Sequence, residues 1–217
     1  MAGTSSVYPV QLSIDYPDRA LNRLTTFFRI FMVIPIIIVL GLLIGGNGSQ
    51  GATTGATGAC NYGYYGGAAG FVVLPLVLML LFRQKYPRWW FDWNMALLKF
   101  GARVKAYFIL LTDEYPSTDE DQAVHIEIAY PDSKNDLNRW LPLVKWLLAI
   151  PHYIILYLLY IAVIVSSVIA WFAILFTGRY PRGLFDFVVG VFRWALRVSA
   201  YALLLTTDRY PPFGLSE

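Results

Sequence analysis

The chain has 217 residues, of which 57% are hydrophobic and only 14% are charged, and its formal net charge is +3. Soluble domains carry about 25% charged residues, so the composition excludes an ordinary water-facing surface and indicates an integral membrane protein. Cys60 is the only cysteine, which excludes an intramolecular disulfide and a four-cysteine metal site.

The two halves of the chain repeat the same short motifs in the same order. The first half contains IDYPD, LNR, YPR and LLTDEYP, and the second contains IAYPD, LNR, YPR and LLTTDRYP. Agreement in order over so much of the chain predicts a tandem duplication. We therefore divide the chain into a first repeat, residues 1–116, and a second repeat, residues 117–217. The predicted fold is mainly α, a polytopic integral membrane protein.

Each repeat is predicted to begin with a short β-strand. Residues 10–14 and 124–128 alternate between apolar and polar side chains, which is typical of a half-buried strand. An even number of membrane spans between them would leave both strands in one compartment, where they could pair.

Each strand is followed by a predicted hairpin of two transmembrane helices. In the first repeat, apolar residues 24–45 and 68–83 flank a Gly-rich insert, residues 46–67. In the second repeat, residues 140–177 form one apolar stretch with Lys145 as its only charge. As a single helix this stretch would be roughly 57 Å long, nearly twice the ~30 Å hydrocarbon core. We therefore expect it to turn back on itself.

An amphipathic helix is predicted to close each repeat, at residues 88–112 and 182–206. Basic side chains form a narrow stripe on each of them, which suits a helix lying in the headgroup layer. The alternative is a third transmembrane helix per repeat that hides the stripe inside a bundle. Asp92 and Asp186 are predicted helix-start acids, favoured by the helix dipole. The predicted contacts to lipid headgroups are Arg88, Lys99, Arg103, Lys105, Arg182, Arg193 and Arg197.

Lys and Arg residues flank both predicted hairpins, whereas the insert carries no charge. The positive-inside rule then places both termini and both strands in the cytoplasm and the insert outside. Tyrosine gives much contact area for little rotamer entropy, so the insert is predicted to touch an external partner protein through Tyr62, Tyr64 and Tyr65.

The sequence contains none of the motifs that usually carry catalysis. It has no Gly-rich phosphate loop, HExxH or GxSxG. The first repeat has Ile36 where the second has His152, which excludes a symmetric metal site. We predict a protein that is not an enzyme, has no cofactor and no metal, and does not bind nucleic acid.

The stretch Val144–Leu215, with the motifs IAWFAILFTGRYPRGLFDF and TDRYPPF, resembles an uncharacterised bacterial membrane-protein family, domain of unknown function 4389. The resemblance implies a bacterial plasma membrane and brings no activity with it.

Two functions remain open. The favoured hypothesis is a non-enzymatic accessory or scaffold subunit of a membrane protein assembly that contacts anionic lipid, because aromatic residues are dense and the basic stripes suit lipid. Its expected partners are anionic membrane lipids, together with other membrane protein subunits or further copies of the same chain. The alternative is a small-molecule or lipid transporter built on two parallel repeats. Against it stands the scarcity of polar residues in the apolar segments beyond His152, Ser166 and Ser167.

Overall fold

A computed structural model describes residues 8–17, 21–44, 77, 79–83, 86–118, 120–131, 137–138 and 140–215. Within these residues, two strands and four long helices follow one another along the chain. They are β1 (Val10–Ile14), α1 (Arg23–Ile44), α2 (Arg88–Phe108), β2 (Val124–Ile128), α3 (Leu141–Thr177) and α4 (Arg182–Ala202). Residues 77 and 79–83 are also helical.

The two strands form a small antiparallel sheet at the positions that the alternating pattern predicts. Leu12 lies opposite Ile126, and the register pairs Val10 with Ile128. In both strands the apolar side chains are buried and the polar ones between them are exposed. The apolar face is covered by two helices, since β1 packs against α4 and β2 packs against α2. Each half of the chain therefore supplies a strand that the helix of the other half covers.

The hairpin predicted at residues 140–177 is wrong, because α3 is one helix of 37 residues from Leu141 to Thr177. Ser167 does not interrupt it, since its hydroxyl donates back to the carbonyl oxygen of Val163 at 2.8 Å, a bond that a helix accommodates. The helix ends at Gly178, which has the left-handed conformation (φ 73°) that glycine adopts without steric cost.

A polytopic protein built from two hairpins is therefore not what the structure shows. Among the described residues, α3 alone is long and apolar enough to cross a membrane by itself, with a mean hydropathy of 2.6 over its best window. Helix α1 passes the same test only if Arg23–Arg29 and Phe31–Gly41, which meet at 51°, are counted together. Pro35 explains the bend, because a helical proline clashes with the carbonyl four residues before it.

The predicted cytoplasmic location of both termini depended on the hairpins, and with α3 continuous it loses its basis. The second arm of the first predicted hairpin, residues 68–83, lies outside the described residues except at 77 and 79–83. The insert at 46–67 also lies outside them.

Helix α4, predicted as an interfacial helix, lies at the centre of the described fold and packs most of its surface against protein. Thirteen of its 21 residues are buried, because α3 and β1 pack against it. The C-terminal segment crosses it as well: a Cβ added to Gly190 would lie 2.9 Å from the carbonyl oxygen of Leu215. Only glycine permits so close an approach without a shift of the backbone.

Candidate functional site

Arg29 ties α1 to the C-terminal end of α2. Its buried guanidinium donates to the carbonyl oxygens of Tyr107 at 3.1 Å and Thr112 at 3.0 Å, and it forms an ion pair with Asp113. It also lies over the ring of Tyr107, 4.5 Å from the centroid. The last carbonyls of a helix lack partners within the helix, so Arg29 supplies both donors and a positive charge where the helix dipole is negative.

Lys145 makes the corresponding contacts between α3 and the end of α4. Its side chain is fully buried, and the ammonium donates to the carbonyl oxygen of Thr207 at 2.7 Å and pairs with Asp208 at 2.6 Å. It lies 5.1 Å from the ring centroid of Tyr201. The two apolar helices thus each carry one buried cation that holds the end of an amphipathic helix.

The two aspartates also bind the chain just before each apolar helix. The second carboxylate oxygen of Asp113 accepts from the backbone N–H of Asn22 at 2.9 Å, and that of Asp208 accepts from Asn138 at 2.5 Å. We call these two sets of contacts clamp 1 (Arg29, Asp113, Asn22) and clamp 2 (Lys145, Asp208, Asn138). Sequence reasoning aligned these residues but missed their contact. The signal was a single cation within each predicted apolar segment, 24–45 and 140–177, together with an acid shortly after each amphipathic helix.

A left-handed leucine precedes each of these aspartates. Helices α2 and α4 end four residues before the predicted limits, and the chain then turns through Leu110 (φ 72°) and Leu205 (φ 55°). Such a conformation costs a non-glycine residue about 1–2 kcal/mol, and both side chains are buried. Burial of a leucine contributes about 1.5–3 kcal/mol, which offsets that cost and fixes the direction in which the aspartate follows.

Tyrosines link the two halves of the chain in a matched way. The hydroxyl of Tyr16 donates to the carbonyl oxygen of Tyr180, and that of Tyr130 donates to the carbonyl oxygen of Tyr86. Burial raises the pKa of Tyr180 to about 12 and also raises the pKa of Tyr86. The Tyr86 hydroxyl donates to the carbonyl oxygen of Leu204 at 2.8 Å. Because burial raises both pKa values, the phenols of Tyr86 and Tyr180 remain protonated at neutral pH.

Three of the predicted headgroup contacts are exposed. Arg88 and Arg182 begin α2 and α4, and their guanidinium groups lie 5.3 Å and 5.0 Å from the ring centroids of Tyr130 and Tyr16. Lys105 is exposed near the end of α2. Lipid contact by these three cations stays a prediction.

Two further members of the basic stripe point into the protein. Arg103 is 6% exposed and donates to the carbonyl oxygen of Ser117 at 2.9 Å. Arg197 is 4% exposed and lies 5.9 Å from the ring centroid of Tyr8, whose pKa burial raises to about 12. A lipid phosphate has no access to these two guanidinium groups, because the folded chain covers them.

Arg193 and Lys99 are half-buried beside the sheet. The Nε–H of Arg193 donates to the carbonyl oxygen of Leu12 in β1 at 3.0 Å, whereas Lys99 lines a pocket beside β2. Asp92 and Asp186 are exposed. The first turns of α2 and α4 contain no acid, and these two residues follow directly after them. The predicted partner contacts Tyr62, Tyr64 and Tyr65 lie outside the described residues.

His152 is enclosed by aromatic side chains. The indole N–H of Trp194 donates to its Nδ1 at 3.1 Å, and its ring stacks on Phe213 with centroids 4.0 Å apart and beside Tyr210 at 4.9 Å. An Nδ1 that accepts a hydrogen bond leaves the proton of a neutral imidazole on Nε2. His152 therefore joins α3 to α4 and to the C-terminal segment.

His125 lies far from this cluster and pairs with Asp15 at 3.1 Å on the exposed face of the sheet. Within the residues that the structure describes, no group of three or more His, Cys, Asp or Glu side chains is placed to hold a metal ion.

The outward faces of α1 and α3 are apolar and exposed. Phe31 is 68% exposed, Tyr157 69% and Phe176 78%. Only 22% of the most hydrophobic window of α3 is buried. Apolar surface on this scale marks a contact with lipid or with another protein.

Residues 140–214 match the model of a family described as Domain of unknown function (DUF4389), which is about a third of the chain. The matched part contains α3, α4 and clamp 2 except for Asn138. No curated protein and no solved structure matches the chain.

Proposed function

We propose that the protein is a membrane-anchored, non-enzymatic accessory or scaffold subunit that contacts anionic lipid. The observation that carries the proposal is the apolar outer surface of α1 and α3, of which α3 is long and apolar enough to cross a membrane. Transfer of such a surface from water to hydrocarbon or to a partner helix is favourable by about 25 cal/mol per Å². Water is therefore not the environment that this surface suits.

The clamps support a scaffold rather than a catalyst. Each buried cation is paired with a carboxylate and also satisfies main-chain carbonyls. These polar groups are thus used to fix the amphipathic helices to the apolar ones. The recurrence of the clamp in both halves also supports the inference that the halves are copies of one unit.

Exposed cations support the contact with anionic lipid. Arg23 and Arg179 are exposed beside the end of α3, and Arg23 donates to the carbonyl oxygen of Phe176 at 3.3 Å. With Arg88, Arg182 and Lys105 they supply positive charge, and each such residue near an anionic surface contributes about 1 kcal/mol. The resemblance to bacterial membrane proteins makes the bacterial plasma membrane the proposed location.

Membrane anchoring is tested by extraction of membranes with alkaline carbonate. We expect the native protein to stay in the pellet, and Ile154→Lys combined with Ile161→Lys to release it, because each charge in a membrane helix costs about 2.5–3.5 kcal/mol. Both isoleucines are on the outer surface of α3. Ser13→Lys, on the exposed face of β1, is the matched control. Release of the native protein by carbonate would refute the anchoring.

The scaffold role is tested by purification from native membranes in a mild detergent, followed by mass spectrometry. A partner protein in stoichiometric amount is the expected result. Bound lipid without any protein partner would contradict the scaffold and favour the carrier alternative.

A further inference from the structure

A pocket of about 500 Å³ lies beside the sheet, away from the apolar surface of α3. Ligand pockets typically measure about 300–1,000 Å³. The lining includes Pro9, just before β1, and Ala129, just after β2, so the pocket lies at the end of the sheet where β1 begins and β2 ends. Its walls are Met95 and Lys99 of α2, Ile126–Ala129, and Tyr8, Pro9 and Gln11.

Two opposite charges line this pocket without touching. The side chains of Lys99 and Glu127 form no hydrogen bond or ion pair with any residue that the structure describes. Met95 and Lys99 are four residues apart, so they share one face of α2. Gln11 lies opposite Glu127 in the sheet and adds an amide that can both donate and accept. The pocket therefore offers a cation, an anion and a neutral polar group around an apolar floor.

The matching cation beside β1 is bonded differently. There Arg193, the counterpart of Lys99, donates to the carbonyl oxygen of Leu12 at 3.0 Å. Asp15 and His125 also pair with each other, at 3.1 Å on the exposed face of the sheet. Beside β2 the shorter Lys99 makes no such bond, and the space remains open.

We propose that this pocket binds a small zwitterion, with its phosphate or carboxylate on Lys99 and its ammonium on Glu127. A simple anion would be repelled by Glu127 and a simple cation by Lys99, whereas a molecule with both charges satisfies each of them. Met95, Pro9 and Ile128 would contact the short hydrocarbon link between the charged groups. The ligand is either the phosphoethanolamine headgroup of a membrane lipid or a free zwitterion in solution. Only the lipid source rests on the proposed membrane location.

The first experiment titrates the full-length protein in detergent with phosphoethanolamine by calorimetry. We expect inorganic phosphate and ethanolamine to bind at least tenfold more weakly, because each lacks one charge-assisted hydrogen bond. Lys99→Met and Glu127→Gln should each weaken phosphoethanolamine binding by roughly tenfold. Arg83→Met and Glu120→Gln, at exposed positions outside the pocket, should leave it unchanged. Equal binding of inorganic phosphate, or tighter binding by Glu127→Gln, would overturn the proposal.

The second experiment identifies the source of the ligand. Flotation compares vesicles containing phosphatidylethanolamine with vesicles of phosphatidylglycerol alone. A preference for the former that both pocket variants lose supports a lipid headgroup. Soluble phosphoethanolamine binding without that preference supports a free zwitterion. If neither probe binds while the protein still resists carbonate extraction, the pocket proposal fails and the membrane proposal stands.

Discussion

Asp208→Asn should destabilise the protein more than Lys145→Met, although the two residues form one ion pair. Lys145 is 0% exposed at its side chain, whereas Asp208 is 20% exposed. Asparagine keeps the shape of aspartate and can still accept from the N–H of Asn138. The substitution therefore removes the charge alone and leaves a buried ammonium with the carbonyl of Thr207 as its acceptor.

The size of the effect follows from the burial of the two groups. Removal of one partner from a buried pair costs about 3–5 kcal/mol. At about 2–4 °C per kcal/mol for a chain of this size, Asp208→Asn should lower the melting temperature by roughly 6–20 °C. In Lys145→Met the carboxylate that remains keeps the N–H of Asn138 and belongs to a side chain that is 20% exposed, so we expect a smaller loss of about 1–3 kcal/mol. Methionine also keeps most of the apolar contact of the lysine stem.

The double variant decides whether the ion pair is the cause. Lys145→Met with Asp208→Asn leaves no unpaired buried charge, so the cost of burying an isolated ion is absent. We therefore expect the double variant to melt above Asp208→Asn alone. The assay is the loss of helical circular dichroism on heating the full-length protein in detergent. A double variant that loses as much as the two single variants together would refute the reasoning.

Two further predictions use the same assay. Gly190→Ala should lower stability by about 1–3 kcal/mol, because its Cβ would meet Leu215 at 2.9 Å. Gly101 has open space around it, so Gly101→Ala should raise stability by up to about 1 kcal/mol. Equal effects of the two substitutions would contradict the contact between Gly190 and Leu215. Tyr16→Phe and Tyr130→Phe should each cost about 1 kcal/mol, since each removes one hydrogen bond between the halves, and a large difference between them would argue against matched roles.

The strands and the starts of the amphipathic helices were predictable because their signals are local. Alternation over five residues identified both strands. Their pairing is confirmed, although the expectation rested on an even number of membrane spans, which the structure does not show. Helices α2 and α4 begin at Arg88 and Arg182, directly after a proline whose φ suits a helix start. The predicted ends were too late because two leucines adopt left-handed conformations, which no propensity favours in leucine.

The prediction for α3 failed on a length argument. An apolar stretch of this length exceeds the hydrocarbon core, but nothing obliges the whole of a long helix to lie within hydrocarbon. No glycine or proline lies between Pro151 and Gly178. The local sequence therefore offers no place for a turn. The absence of a turn signal was the better guide.

The sequence alone determined that the protein is apolar, that its halves share their motifs, and where its strands begin and end. These properties can be read from composition, from repeated motifs and from alternation over a few neighbouring residues. Only the tertiary structure decided where the basic stripe faces. Periodicity shows that Arg103 and Arg197 share a helix face, but whether lipid or protein covers that face depends on packing between distant segments. The clamps also depend on the tertiary structure, since their hydrogen bonds join residues 62 to 91 positions apart. Their geometry exists only after α1 and α3 have packed against the ends of α2 and α4.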